Sequence, residues 1–303
     1  MNVHHLGTVF PILRRIDRIP FSRDQLILLL VAVNEIFLGI DIFLAHSISG
    51  TIVPRERIPI IFGPIAGVLL LILGLVSLRR RMLANVLASL IFVVSIAVGL
   101  IGAYFHVIRG ILPTGPPGRW LTLDLLVWAP PVLGPLTFSL IGLLGLSAAW
   151  LETPPESGSL TLIRGLRLHL PFSKTRALYF LVGLGVLASL ISMIFDHART
   201  GFVNPWLWFS AAVGIFGTVV PVIMGALGNP GRSDYIIYTT AMTALIILGI
   251  MGLILHVNEN LIADGKIVTK RIIRGAPFLA PMLFADMGTL GLIALLDPAE
   301  PVG

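Results

Sequence analysis

Gly99–Val107 reads GLIGAYFHV and Gly249–Val257 reads GIMGLILHV, so that two glycines, a histidine and a valine recur at one spacing. At about 3.6 residues per turn, Gly99 and Gly102 share the helical face of His106, as Gly249 and Gly252 share that of His256. A face stripped of side chains either meets a neighbouring helix closely or leaves room for a flat ligand.

Outward from this pair, the two halves of the chain match in each apolar segment. IFLAHSISG with His46 corresponds to IFDHARTGF with His197, and Phe62 and Gly67 correspond to Phe209 and Gly214. PVLGPLTFSLIGLLGL from Pro131 overlays PFLAPMLFADMGTLGL from Pro277. Apolar helices resemble one another by composition, but the placement of Pro, Gly and His is not a compositional accident.

The 303 residues are 56% hydrophobic and 12% charged, with mean hydropathy +0.97, which excludes an ordinary soluble domain. A span needs roughly 20 apolar residues. Eight such stretches lie near 25–48, 58–78, 83–108, 123–150, 176–198, 205–228, 235–257 and 275–296. The fold expected is an all-α integral membrane protein of eight transmembrane helices, built as two tandem four-helix repeats. Four spans return the chain to its starting side, so the repeats are related by a pseudo-two-fold axis along the membrane normal, and an inverted-repeat transporter is disfavoured. The parts are an N-terminal cytoplasmic arm (1–24), repeat 1 (25–151), an interfacial linker (152–175), repeat 2 (176–298) and a tail (299–303). Pro154, Pro155, Ser157 and Gly158 break structure in the linker, and the following TLIRGLRLHL, apolar alternating with basic, is expected to rest on the membrane interface.

The net charge of +6 is dispersed over loops and the arm, so nucleic acid is not an expected partner and anionic lipid is. Without cysteine there is no disulfide, thiolate metal site or cysteine-held iron–sulfur cluster. Twelve Lys and Arg fall on the side of the N-terminus and nine on the other, with the clearest bias around the first three spans. This places both termini in the cytoplasm of a bacterial or archaeal cell, with the chain multi-pass in its cytoplasmic membrane. The arginine-rich start reads as an uncleaved anchor.

His46, His106, His197 and His256 each stand near the outgoing end of an odd-numbered helix and so gather at one membrane face. Imidazole pairs from two helices of a four-helix bundle are a usual way to hold b-type haem. The expected pairs are His46 with His106 and His197 with His256, for one or two haems. Gly99, Gly102, Gly249 and Gly252 would make room for the ring, and Arg109 and Arg199 would meet propionates. Copper held by histidine with Met193 or Met251 is a variant.

The carboxylates break the recurrence. Glu35, Asp41 and Asp286 face Val186, Ser192 and Leu140 in the other half, and Asp196 before His197 faces Ala45. Acids at membrane depth are costly, which makes Glu35, Asp41, Asp196 and Asp286 candidates for moving protons, with quinone as a second cofactor. Trp120, Asp124 and Trp128 open the fourth span at the same face. No nucleotide, hydrolase or zinc-protease motif occurs. The expected function is a membrane-embedded subunit of a quinol-linked redox complex, partnered by other subunits and lipid. The alternatives are a proton or ion transporter between the repeats, and a cofactor-free structural subunit.

Overall fold

The computed structural model describes residues 5–10, 21–48, 50, 52–111, 127–128, 130–163, 166–263, 266–267, 270–271 and 275–296. Arg14, Arg15 and Arg18 of the arm, Trp120, Asp124 and the tail 299–303 lie outside the described residues.

Eight helices carry the fold: α1 (Arg23–Ile48), α2 (Arg57–Ser77), α3 (Arg81–Ile111), α4 (Leu133–Ala149), α5 (Lys174–Ala198), α6 (Trp206–Ala226), α7 (Arg232–Leu261) and α8 (Met282–Ile293). A five-residue helix, His5–Val9, packs on α7. Among the described residues, six helices are long and apolar enough to cross a membrane, namely α1, α2, α3, α5, α6 and α7. The chain is thus a multi-pass membrane protein by the length and composition of its helices. Helices α4 and α8 are shorter than the expected spans, at 17 and 12 residues. Prolines account for the late starts. Pro130 and Pro131 precede α4, while Pro277 and Pro281 break the approach to α8, which begins only after the Pro281 cap.

Packing follows the chain. Helix α1 lies on α2 and α4, and α3 closes the ring between them; α5, α6, α7 and α8 form a second ring in the same order. The rings meet where α4 packs on α5 and α8 on α1. Side chains between helices, such as Val31, Phe92, Phe138, Val182, Tyr238 and Leu290, are fully buried, whereas Ile61, Ile65 and Ile72 on α2 and Ile247 and Ile254 on α7 point outward. An apolar exterior of this extent suits lipid.

The linker between the rings folds into a small sheet. Its alternation has a period of two, the period of a strand. Leu151–Glu152 (β1), Ser159–Ile163 (β2) and Leu166–His169 (β3) form an antiparallel sheet in the order β1-β2-β3. A second short hairpin pairs Ile262–Ala263 (β4) with Lys266–Ile267 (β5).

Candidate functional site

The glycine faces are filled by helices. A Cβ on Gly102 would fall 2.8 Å from the Pro135 Cβ, and one on Gly252 would fall 2.6 Å from that of Pro281. One turn earlier, a Cβ on Gly99 would stand 2.6 Å from the Ser139 nitrogen, and one on Gly249 2.7 Å from the Ala285 nitrogen. The cofactor-binding role expected for Gly99, Gly102, Gly249 and Gly252 is therefore corrected: they admit α4 against α3 and α8 against α7, the small-residue packing usual between membrane helices. The glycines of the partner helices do the same. A Cβ on Gly142 would lie 2.6 Å from the Phe92 carbonyl oxygen, and one on Gly288 2.5 Å from that of Met242.

The same prolines explain two of the histidines. In a helix the carbonyl of residue 131 accepts the N–H of residue 135, but residue 135 is proline and has none. The Pro131 oxygen accepts instead from Nδ1 of His106, at 2.8 Å. Pro277 and Pro281 repeat the spacing, and the Pro277 oxygen accepts from Nδ1 of His256 at 3.0 Å, alongside the Ala280 N–H at 3.2 Å. A carbonyl can only accept, so both rings carry a proton on Nδ1, and the neutral form of either ring presents its lone pair at Nε2.

The histidines do meet in pairs. The ring centroids of His46 and His106 are 6.1 Å apart with planes inclined at 59°, and those of His197 and His256 are 6.1 Å apart at 70°. Helices α1 and α3 face each other across the first ring, as α5 and α7 do across the second, so each pair closes the core of its ring at one end. Nδ1 of His46 is held by the Ile42 carbonyl at 2.9 Å. All four imidazoles are half-buried.

Each pair has an acid and an arginine beside it, from different places in the chain. In the first ring Glu56 places Oε1 4.0 Å from His46 Nε2 and 3.9 Å from Arg109, while its Oε2 accepts the Val53 N–H at 3.0 Å. In the second ring Asp196 stands 4.0 Å from Arg199 and bears electrostatically on His197 and His256. Arg199 also donates to the Val127 carbonyl at 2.7 Å. Glu56 escaped the sequence reading because it lies between Arg55 and Arg57, in a loop that reads as basic.

Below the first pair lies a polar layer. Glu35 precedes His46 by eleven residues, and Ser95 precedes His106 by eleven, which is three turns in both helices. The Ser95 hydroxyl bridges the Glu35 carboxyl at 2.5 Å and the Ile91 carbonyl at 3.1 Å. Glu35 is fully buried, and its second oxygen has no hydrogen-bond partner among the described residues. The corresponding layer of the second ring is Val186 and Leu245, both fully buried. Ser95 was legible from its place on the His106 face, yet a lone serine gives no reason to single it out.

Asp41 and Asp196 lie within electrostatic range of each other across the junction of the rings. Near them a small, mostly apolar cavity is lined by Pro131, Leu133, Ser192, Phe195, Asp196 and Arg199. Asp286 is half-buried on α8, away from the histidines, and no charged group among the described residues acts on it. Among the described residues no group of three or more His, Asp or Glu is disposed to hold a metal ion.

Comparison adds no relative. The chain matches no family model, no curated protein and no solved structure.

Proposed function

We propose that this chain is the membrane-embedded subunit of a quinol-linked redox complex, in which the first ring takes the protons that quinol gives up. The observation that carries this reading is the polar line through the first ring: His46 and His106 at its end, with Glu56 beside them, and Glu35 with Ser95 three turns deeper. Eleven residues at 1.5 Å separate the two layers by roughly 16 Å. An imidazole that presents Nε2 to a hydroxyl accepts its proton, and a neighbouring carboxylate stabilises the resulting charge. The cavity between Pro131, which His106 holds, and Asp196 lies on the route between the two pairs. Electrons leave to a redox centre on another subunit.

The equal spacing of both pairs favours a second reading, in which His46 with His106 and His197 with His256 are axial ligands of b-type haem. In that reading each pair would hold the iron through its two imidazoles, and the haem would supply one-electron transfer. Anchoring of Nδ1 on a carbonyl is also how ligating histidines are oriented.

The matching glycine, proline and histidine contacts of the two rings support a tandem duplication with a pseudo-two-fold axis along the membrane normal; with eight crossings both termini lie on one side, and the bias of Lys and Arg favours the cytoplasm. Lipid and the other subunits of a bacterial or archaeal membrane complex are the partners.

Purification from native membranes in mild detergent tests this. Quinol oxidation with an artificial acceptor, lost in His106→Ala and in Glu35→Gln, supports the reading. Proton or cation flux through liposomes holding the chain alone, with no response to quinol, overturns it in favour of a transporter. A reduced-minus-oxidised spectrum without a haem band removes the haem reading.

A further inference from the structure

At the end opposite the histidines, the two rings are tied by a buried knot of charge. Lys174, at the start of α5, places Nζ 2.6 Å from Asp24 of α1 and 2.9 Å from the Trp150 carbonyl. Arg23 donates to the Thr175 hydroxyl at 2.6 Å, and that hydroxyl bonds Glu156. Glu152 Oε1 accepts the Gly158 N–H at 2.7 Å and the Lys174 N–H at 2.9 Å, which fixes the hairpin of the linker to the start of α5. Arg23, Asp24, Glu152, Lys174 and Thr175 are all at most 9% exposed.

Among the described residues, four polar atoms of this knot are buried without a hydrogen-bond partner: Arg23 Nε and Asp24 Oδ1, which face each other as an ion pair at 3.7 Å, Glu152 Oε2 and the Tyr179 hydroxyl. Arg23, Arg81, Lys174, Asp24, Glu152, Glu156, Tyr235 and Tyr238 are the charged and titratable groups that face them among the described residues. Leaving such an atom without a partner is costly, because it has given up its bonds to water. Their chemistry narrows what could complete them. Arg23 Nε is a donor only, the Tyr179 hydroxyl has a proton to give, and the two carboxylate oxygens accept. A cation would satisfy the carboxylates and be repelled by Arg23 and Lys174. An anion would meet Asp24 and Glu152. Water donates two hydrogen bonds and accepts two, which is the complement of this set.

We propose that the knot between α1, α5 and the linker hairpin is an internal hydration site, in which ordered water completes Arg23, Asp24, Glu152 and Tyr179 and so holds the two rings together at this end. The water belongs to the fold and is not bulk solvent passing through, because the side chains around it are closed off.

Tyr179→Phe separates the cases. Deleting a hydroxyl that has no partner leaves the melting temperature unchanged or raises it, whereas deleting one that binds water lowers it by roughly 2–4 °C. A fall of that size is expected for the full chain in detergent; an unchanged or higher value overturns the proposal. Melting in sodium, potassium or choline chloride at equal ionic strength provides the second arm. Equal values are expected, and a rise specific to sodium or potassium overturns water in favour of a cation. In an experimental map that shows buried waters elsewhere, density within about 3.2 Å of at least two of the four atoms is expected, and its absence also overturns the proposal.

Discussion

His106 Nδ1 donates to the carbonyl oxygen of Pro131 at 2.8 Å, and that oxygen is available because Pro135, one turn on, has no N–H to offer it. The ring of Pro135 in turn fits over Gly102, one turn before His106. Glycine, histidine and two prolines thereby fasten α3 to α4, and Gly252, His256, Pro277 and Pro281 fasten α7 to α8 in the same way.

Pro135→Ala is expected to restore an N–H that competes for the Pro131 oxygen, loosening the His106 ring and opening a gap over Gly102. The imidazole 15N resonances of His106 should move toward exchange between tautomers, with a stability loss of about 0.5–1.5 kcal/mol from the weakened bond. An unchanged Nδ1–H tautomer would show that the proline spacing does not orient the histidine.

Gly102→Ala and Gly252→Ala should each lower stability by about 1–3 kcal/mol, because the added methyl meets a proline ring that cannot turn away. Gly74→Ala is the control. A Cβ there meets nothing within 4 Å, and in a helix interior alanine should be neutral or stabilising by up to ~1 kcal/mol. Thermal unfolding of the three variants in detergent checks both directions.

Lys174→Met takes from Asp24 its hydrogen-bonded cation in a closed site, leaving the looser contact with Arg23 at 3.7 Å, and is expected to cost about 3–5 kcal/mol. Adding Asp24→Leu should recover part of that loss, since the second change removes the charge that the first exposed. A double variant as unstable as the sum of the singles would mean that the ion pair is not what joins the rings.

Glu35→Gln retains a partner for Ser95, so the fold should hold to within about 1 kcal/mol while proton-coupled turnover of the complex is lost. Ser95→Ala should act the other way. It leaves the buried carboxyl without a partner, and unfolding should become easier by about 1–3 kcal/mol. Paired melting and turnover measurements on the two variants separate a functional acid from a structural one.

The chain alone determined that long apolar helices carry this protein, that glycine, histidine and proline recur at fixed spacing, and that four histidines stand near the ends of their helices. These follow from hydropathy and from the fixed rise per residue, both local properties of the chain. Tertiary structure decided what each face meets. Gly102 meets Pro135 and not a flat ligand, Glu35 meets Ser95, and Glu56 comes up beside His46 from a loop that reads as basic. Lys174 finds Asp24 across 150 residues, and the linker between the rings folds into a sheet that buries Glu152. The physical reason is that rise along a helix sets depth whatever surrounds it, whereas the partner at that depth depends on how neighbouring helices are placed around it. Pro-x-x-x-Pro opposite Gly-x-x-x-His lies between the two: its missing N–H is written in the sequence, and only packing shows which histidine takes its place.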